Sequence, residues 1–164
     1  MKMRKELNTM ARSIEKKNVS GKISKIERPM YKVERDYALY DLFYIQKMTR
    51  KDILKKYGEA RGLTHSTLWH FEDKMKRYPT KKLREEYFKM AFEITTILDS
   101  LEVDPDKYIG RIMTALYVHE INTVAKFKKL KEGELVELLH SKQLRCAGGA
   151  AWNALELYWK ELKG

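Results

Sequence analysis

A single cysteine, Cys146, stands among 164 residues. That excludes an internal disulfide and a metal cluster built on thiolates, and it fits a reducing compartment. The lone thiol is expected to be buried and inert. Only four histidines occur, at 65, 70, 119 and 140, and none forms the i, i+4 pair of a helical zinc site. P-loop, nucleophile-elbow and dinucleotide-binding glycine patterns are all missing. No apolar run approaches the roughly 18 residues of a membrane span, and no signal-peptide core follows the basic N-terminus. The expectation is a soluble, cytoplasmic protein that is no enzyme, with no catalytic residue, metal, cofactor or membrane partner.

What the chain has in excess is positive charge. Lysine and arginine number 34 against 23 aspartates and glutamates, a formal net charge of +11, with 43% hydrophobic residues to build a core. Such an excess is the electrostatic footprint of a polyanionic partner: DNA, RNA or an anionic surface. Residues 1–36 hold eleven basic and five acidic residues, so this segment carries +6 of the total. Large apolar residues are sparse there, and "NVSGK" and "ERP" interrupt any long helix. The segment reads as a basic, weakly ordered arm that gains affinity by neutralising phosphates.

From Tyr37 the pattern turns helical, and the chain as a whole reads as all-α. A dense apolar segment (Tyr37, Leu39, Tyr40, Leu42, Phe43, Tyr44, Ile45, Met48) comes first. Thr49 and Asp52 then have the spacing of a capping box, and Gly58 is placed to end the following helix in a left-handed conformation. Seven residues, "GEARGLT", lead to a helix that Thr64 or Ser66 can cap and that buries Leu68, Phe71 and Met75. Pro79 stops it.

"MTRKDILKKYG…LTHSTLWHFEDK" resembles the second and third helices of helix-turn-helix DNA-binding domains; the resemblance covers residues 37–78, within a unit bounded at 37–79. The resemblance implies that the third helix lies in the major groove of double-stranded DNA, with residues near its N-terminus at base edges. His65, Ser66, Thr67, Trp69, His70 and Lys74 are then the candidate contacts, and Arg61 is the nearest arginine able to reach a guanine or a phosphate. Arg50, Lys51, Lys55, Lys56, Lys74, Lys76 and Arg77 are candidate phosphate contacts, which position without specifying.

Residues 80–101 predict one long connecting amphipathic helix. Leu83, Tyr87, Met90, Ile94, Ile97 and Leu101 follow coiled-coil spacing, while Phe88, Ala91, Phe92 and Leu98 widen the stripe. Docking within the chain and homodimerisation through 80–101 both fit this pattern.

Residues 104–164 alternate short helical segments with a glycine-containing turn and end on "AWNALELYWKEL". The stretch 108–162, with Arg111, Leu116, Ile121, Thr123-Val124-Phe127, the acidic turn at 132–135 and Gly148-Gly149, resembles the C-terminal domain of the bacterial RNA polymerase α subunit, a helix-hairpin-helix fold. That resemblance implies that Arg111 enters the minor groove and that the Gly148-Gly149 turn contacts phosphates. Three positions depart from the family. Thr114 replaces an asparagine, Ala150-Ala151 replaces a lysine–serine pair, and "HSKQLRC" lengthens the loop, where Lys142 and Arg145 can stand in for the missing cations. The other reading of 108–162 is a protein-docking platform with Tyr117, His119 and Tyr158 exposed.

Together these patterns describe a helix-turn-helix unit, a connecting helix and a helix-hairpin-helix-like bundle. The expected function is a sequence-specific DNA-binding regulator of bacterial, phage or mobile-element origin. The alternative is a helical interaction module or inhibitor that docks on a nucleoprotein machine such as RNA polymerase, a nuclease or a ribonucleoprotein.

Overall fold

The fold follows the capping residues, and it is described here from a computed structural model for residues 30–164; most of the arm assigned to 1–36 lies outside the described residues. Helix α1 (Lys32–Tyr40) begins inside that arm, with the Tyr31 amide donating to the Glu34 carboxylate at 2.9 Å. Charge-rich composition hid this start, because two of the inward side chains, Glu34 and Asp36, are acidic. α1 continues through a π-helical turn (Asp41–Ile45). α2 (Arg50–Ile53) shows the hydroxyl half of the expected capping box, the Thr49 hydroxyl accepting from the Asp52 amide at 3.2 Å.

The expected stop at Gly58 does not occur. A second π-helical turn (Leu54–Gly58) carries the chain directly into α3 (Glu59–Arg61), and Gly58 keeps right-handed helical angles. Gly62 takes the left-handed position instead, at φ 64°. The Leu63 amide donates to the Gly58 carbonyl at 2.8 Å and the Gly62 amide to the Glu59 carbonyl at 3.4 Å, the paired bonds of a Schellman ending. Buried Leu63 anchors that ending to the core.

α4 (His65–Met75) follows, then α5 (Lys81–Ser100), whose first turn is capped by the Thr80 hydroxyl accepting from the Leu83 amide at 3.1 Å. A 3-10 turn (Pro105–Lys107) leads to α6 (Ile109–Val118), α7 (Val124–Lys128), α8 (Glu132–Leu139) and α9 (Gly149–Lys163). Every element is helical, and the described residues form no strand.

α5 is the axis of the molecule. It packs against α1, α6, α7 and α9, so the expected segments share one continuous core. Tyr87, Met90, Ile94 and Ile97 of the coiled-coil seam are buried by the chain's own helices, as are Phe88, Ala91, Phe92 and Leu98. Docking within the chain, one of the two expectations for 80–101, accounts for this burial, and of the seam residues only Leu83 and Leu101 stay partly exposed. The Glu86 carboxylate accepts from the Val124 amide at 3.2 Å and ties α7 to the axis.

Tyr158, expected at the surface of a docking platform, is 1% exposed and stacks on Phe127 with centroids 5.1 Å apart. Its hydroxyl faces Glu93 of α5. Burial raises the Glu93 carboxyl above its ordinary 4.5, opposed by Tyr158 and Lys89 and reinforced by Glu161 and Glu86. A raised carboxyl favours the folded state when protonated, so this stabilisation is complete below the ordinary value and is lost as pH rises through the folded one. Glu93→Gln is thus expected to melt above the native chain at pH 7 and together with it near pH 4. Scanning calorimetry across that range checks both points.

Candidate nucleic-acid interface

Helix α4 has one buried face and one bare face. Leu68, Phe71 and Met75 are 0–2% exposed, and Phe43 stacks on Phe71 at 5.7 Å. Arg50 forks onto the Glu72 carboxylate, with Nε at 3.1 Å and Nη2 closer still, and so clamps α2 against α4. Lys74 reaches inward to Asp36 of α1, Nζ to Oδ2 at 2.7 Å. Arg50 and Lys74 therefore depart from the expectation of free phosphate contacts: Lys74 compensates the buried Asp36 carboxylate, while Arg50 is engaged by the half-buried Glu72.

The turn between α3 and α4 consists of Gly62, Leu63 and Thr64. Continuation of the helix past Gly58 has absorbed most of the seven-residue connection. Thr64 is the N-cap: its hydroxyl accepts from the Thr67 amide at 3.2 Å and lies 3.0 Å from the Thr67 hydroxyl. Thr67 is thus half-buried in the cap rather than offered outward. His65, Ser66, Trp69 and His70 are exposed, Trp69 by 50%, with the His70 ring packed edge-on against the indole at 5.1 Å. Polar and aromatic side chains held by a buried stripe at helical spacing form a rigid, chemically varied surface.

Beside it, α2, α3 and the turn joining them expose Lys51, Lys55, Lys56 and Arg61. Lys56 and Arg61 lie over the Tyr57 ring, 5.3 and 4.8 Å from its centroid. Tyr57 thereby limits where the two cations can point, a cation–π arrangement that composition alone did not reveal.

In the C-terminal half, Arg111 is exposed near the start of α6. Lys142, Arg145, Gly148 and Gly149 are exposed on the loop before α9 and at its first turn. Gly148 has φ 95°, and no side chain caps α9 there. The Trp152 indole donates to the Leu144 carbonyl at 3.0 Å and anchors this loop. Cys146 is exposed on it, contrary to expectation, because the loop buries Leu144 and Ala147 instead.

One juxtaposition escaped the sequence. The C-terminal half of α4 and the first two turns of α6 enclose a cleft of about 240 Å³ lined by His70, Asp73, Lys74, Arg77, Tyr78, Tyr87, Gly110, Met113 and Thr114. Arg77 lies over the Tyr117 ring at 5.2 Å and closes one end. The structure thus brings His70 and Lys74 to the helix that carries Arg111, while the 142–149 residues take no part in the cleft. No spacing in the sequence pairs the end of α4 with the start of α6; their juxtaposition requires the path of α5. Among the described residues no cluster of three or more histidine, cysteine or acidic side chains can hold a metal ion, and no helix is long and apolar enough to cross a membrane. Comparison with family models, curated proteins and solved structures finds no match to this chain.

Proposed function

We propose that this chain is a nucleic-acid-binding protein that takes duplex DNA against α4 and performs no covalent chemistry of its own. The observation that carries this reading is the bare face of α4: His65, Ser66, Trp69 and His70 stand outward opposite an almost fully buried stripe. The three-residue turn before α4, begun by a left-handed glycine, supports the helix-turn-helix reading, for which a short turn is usual. Exposed Lys51, Lys55, Lys56 and Arg61 supply phosphate contacts, and the net charge of +11 supplies steering. The resemblance of 108–162 to the polymerase α C-terminal domain supports a second contact through Arg111, with the Lys142, Arg145 and Gly148-Gly149 loop at the backbone. A regulator that reads sequence through α4 is the specific form of the proposal.

A second reading rests on Tyr117 and Val118, exposed by 40% and 51%. Adjacent apolar side chains on α6 suit a protein partner, as in an interaction module on a nucleoprotein machine.

Duplex binding measured against salt separates the two. A DNA reader loses affinity linearly in log–log form, by a slope of about −0.9 per phosphate neutralised, and Lys55→Ala makes the slope shallower by about 1. His70→Ala, Trp69→Ala and Arg111→Ala are each expected to weaken a preferred sequence by about 1–3 kcal/mol relative to random duplex. Equal, weak binding of every nucleic acid by all variants overturns the DNA reading and leaves the interaction module.

A further inference from the structure

The cleft between α4 and α6 contains more polar chemistry than the fold requires. His70 and Asp73 sit on α4, Thr114 on α6, and Tyr78 and Tyr87 also line the cleft. Among the described residues no hydrogen bond or ion pair engages the His70 ring, the Asp73 carboxylate, the Thr114 hydroxyl or either tyrosine hydroxyl. The two cations differ from them. Lys74 is held by Asp36, and Arg77 lies over the Tyr117 ring at one end of the cleft. The floor is formed by Met113, Tyr78 and Tyr87, the lining residues only 3–5% exposed. Convergent unpaired polar groups over an apolar floor are the signature of a small-ligand site.

The donor and acceptor pattern selects the ligand. A simple oxyanion would match the hydroxyls and Arg77 but would meet the Asp73 carboxylate. An aliphatic ligand would leave the polar groups unpaired, at a cost for each. A planar ring with apolar faces and an edge of mixed donors and acceptors suits all of them, and a phosphate attached to it would reach Arg77. We propose that the α4–α6 cleft binds one unpaired nucleotide: the base sits over the floor with its polar edge on Asp73 and Thr114, and the phosphate lies at Arg77. Two oxygens of one carboxylate match two adjacent N–H donors, so guanine, whose pairing edge carries such a pair, is the preferred base. The site shares His70 with the proposed duplex face but not His65, Ser66 or Trp69, and it rests on the proposed function only if the nucleotide belongs to a strand. A free nucleotide and a looped-out base share this chemistry.

Gly110 gives the test. Gly110 lines the cleft and a Cβ there meets nothing within 4 Å, so Gly110→Phe is expected to narrow the cleft while α6 keeps its place. The full chain is titrated by calorimetry with guanosine, adenosine, cytidine and uridine 5′-monophosphates, with a paired duplex, and with the same duplex bearing one unpaired guanine. The expected result is binding of guanosine monophosphate about tenfold tighter than uridine monophosphate, a preference removed by Asp73→Asn. Gly110→Phe is expected to weaken guanosine monophosphate at least tenfold and leave paired duplex within twofold. Tighter binding of the bulged duplex than the paired one in the native chain, lost in Gly110→Phe, identifies a strand as the source. Equal affinity for the two duplexes alongside monophosphate binding identifies the free nucleotide. No heat with any monophosphate and no bulge preference, or unchanged binding in Gly110→Phe, overturns the site. Failure of both duplexes to bind while guanosine monophosphate still does refutes duplex recognition and leaves the cleft standing.

Discussion

Phe88→Ala is expected to destabilise the fold by about 4 kcal/mol, within the range for emptying a buried phenylalanine site. At this chain length that corresponds to a fall in Tm of about 8–16 °C. Phe88 is fully buried on α5. Its ring centroid lies 5.3 Å from Tyr37, 5.3 Å from Tyr40 and 5.0 Å from Tyr87. Aromatic pairs of this kind contribute beyond their buried area, by about 0.5–1.5 kcal/mol each. Collapse into the void is restricted. Tyr37 is also held edge-on by Phe92 at 5.6 Å and Tyr87 by Tyr78 at 4.7 Å, so neither ring can swing in without opening another gap. The effect extends to the proposed interface, because Phe88 seats α1 and α1 carries the Asp36 that holds Lys74. Urea denaturation of Phe88→Ala and Phe88→Leu measures the cost, with leucine expected to recover more than half. A loss below about 1 kcal/mol for alanine would mean that α5 is not the enclosed axis described here.

What the sequence made legible was the kind of structure and the faces of its helices. The threonines at 49, 64 and 80 each accept from the amide three residues on, because hydroxyl capping is local chemistry that spacing reveals. Helix endings were harder to read. Gly58 looked like a stop, yet the nearby Gly62 was used, since the choice depends on Leu63 finding the core. Lys47, Glu102 and Glu120 have φ of 58°, 59° and 61°, so three more left-handed residues carry side chains that give no signal. The seam in α5 marked apolar residues correctly but not what would cover them. A heptad pattern reports the stripe, and only the wider ring of Phe88, Ala91, Phe92 and Leu98 implied covering from several sides. At the candidate interface, the outward positions of α4 were readable from its buried stripe. The inward turn of Arg50 and Lys74 was not, because their partners Glu72 and Asp36 are 22 and 38 residues distant.

Lys74→Met is expected to cost about 3 kcal/mol of stability, whatever it does to binding. The Asp36 side chain is 3% exposed, and Lys74 meets it at 2.7 Å while remaining 35% exposed itself. Removing one partner of a buried pair costs about 3–5 kcal/mol, because the remaining charge is left without compensation. The lower end applies for two reasons. Solvent already screens the lysine, and Arg35 stays 3.6 Å from the other carboxylate oxygen. The double variant Asp36→Asn/Lys74→Met removes the orphaned charge and is expected to recover most of the loss, giving a coupling energy of about 2 kcal/mol in a double-mutant cycle. A phosphate contact behaves differently: Lys74→Met would leave the urea midpoint in place, lower duplex affinity and make the salt slope shallower by about 1. Urea melts of the four proteins, with salt-dependent binding of each, distinguish a lysine that fastens α4 to α1 from one that faces a polyanion. The first outcome makes the stability of α4, not only its surface chemistry, the condition for any recognition by His65, Ser66, Trp69 and His70.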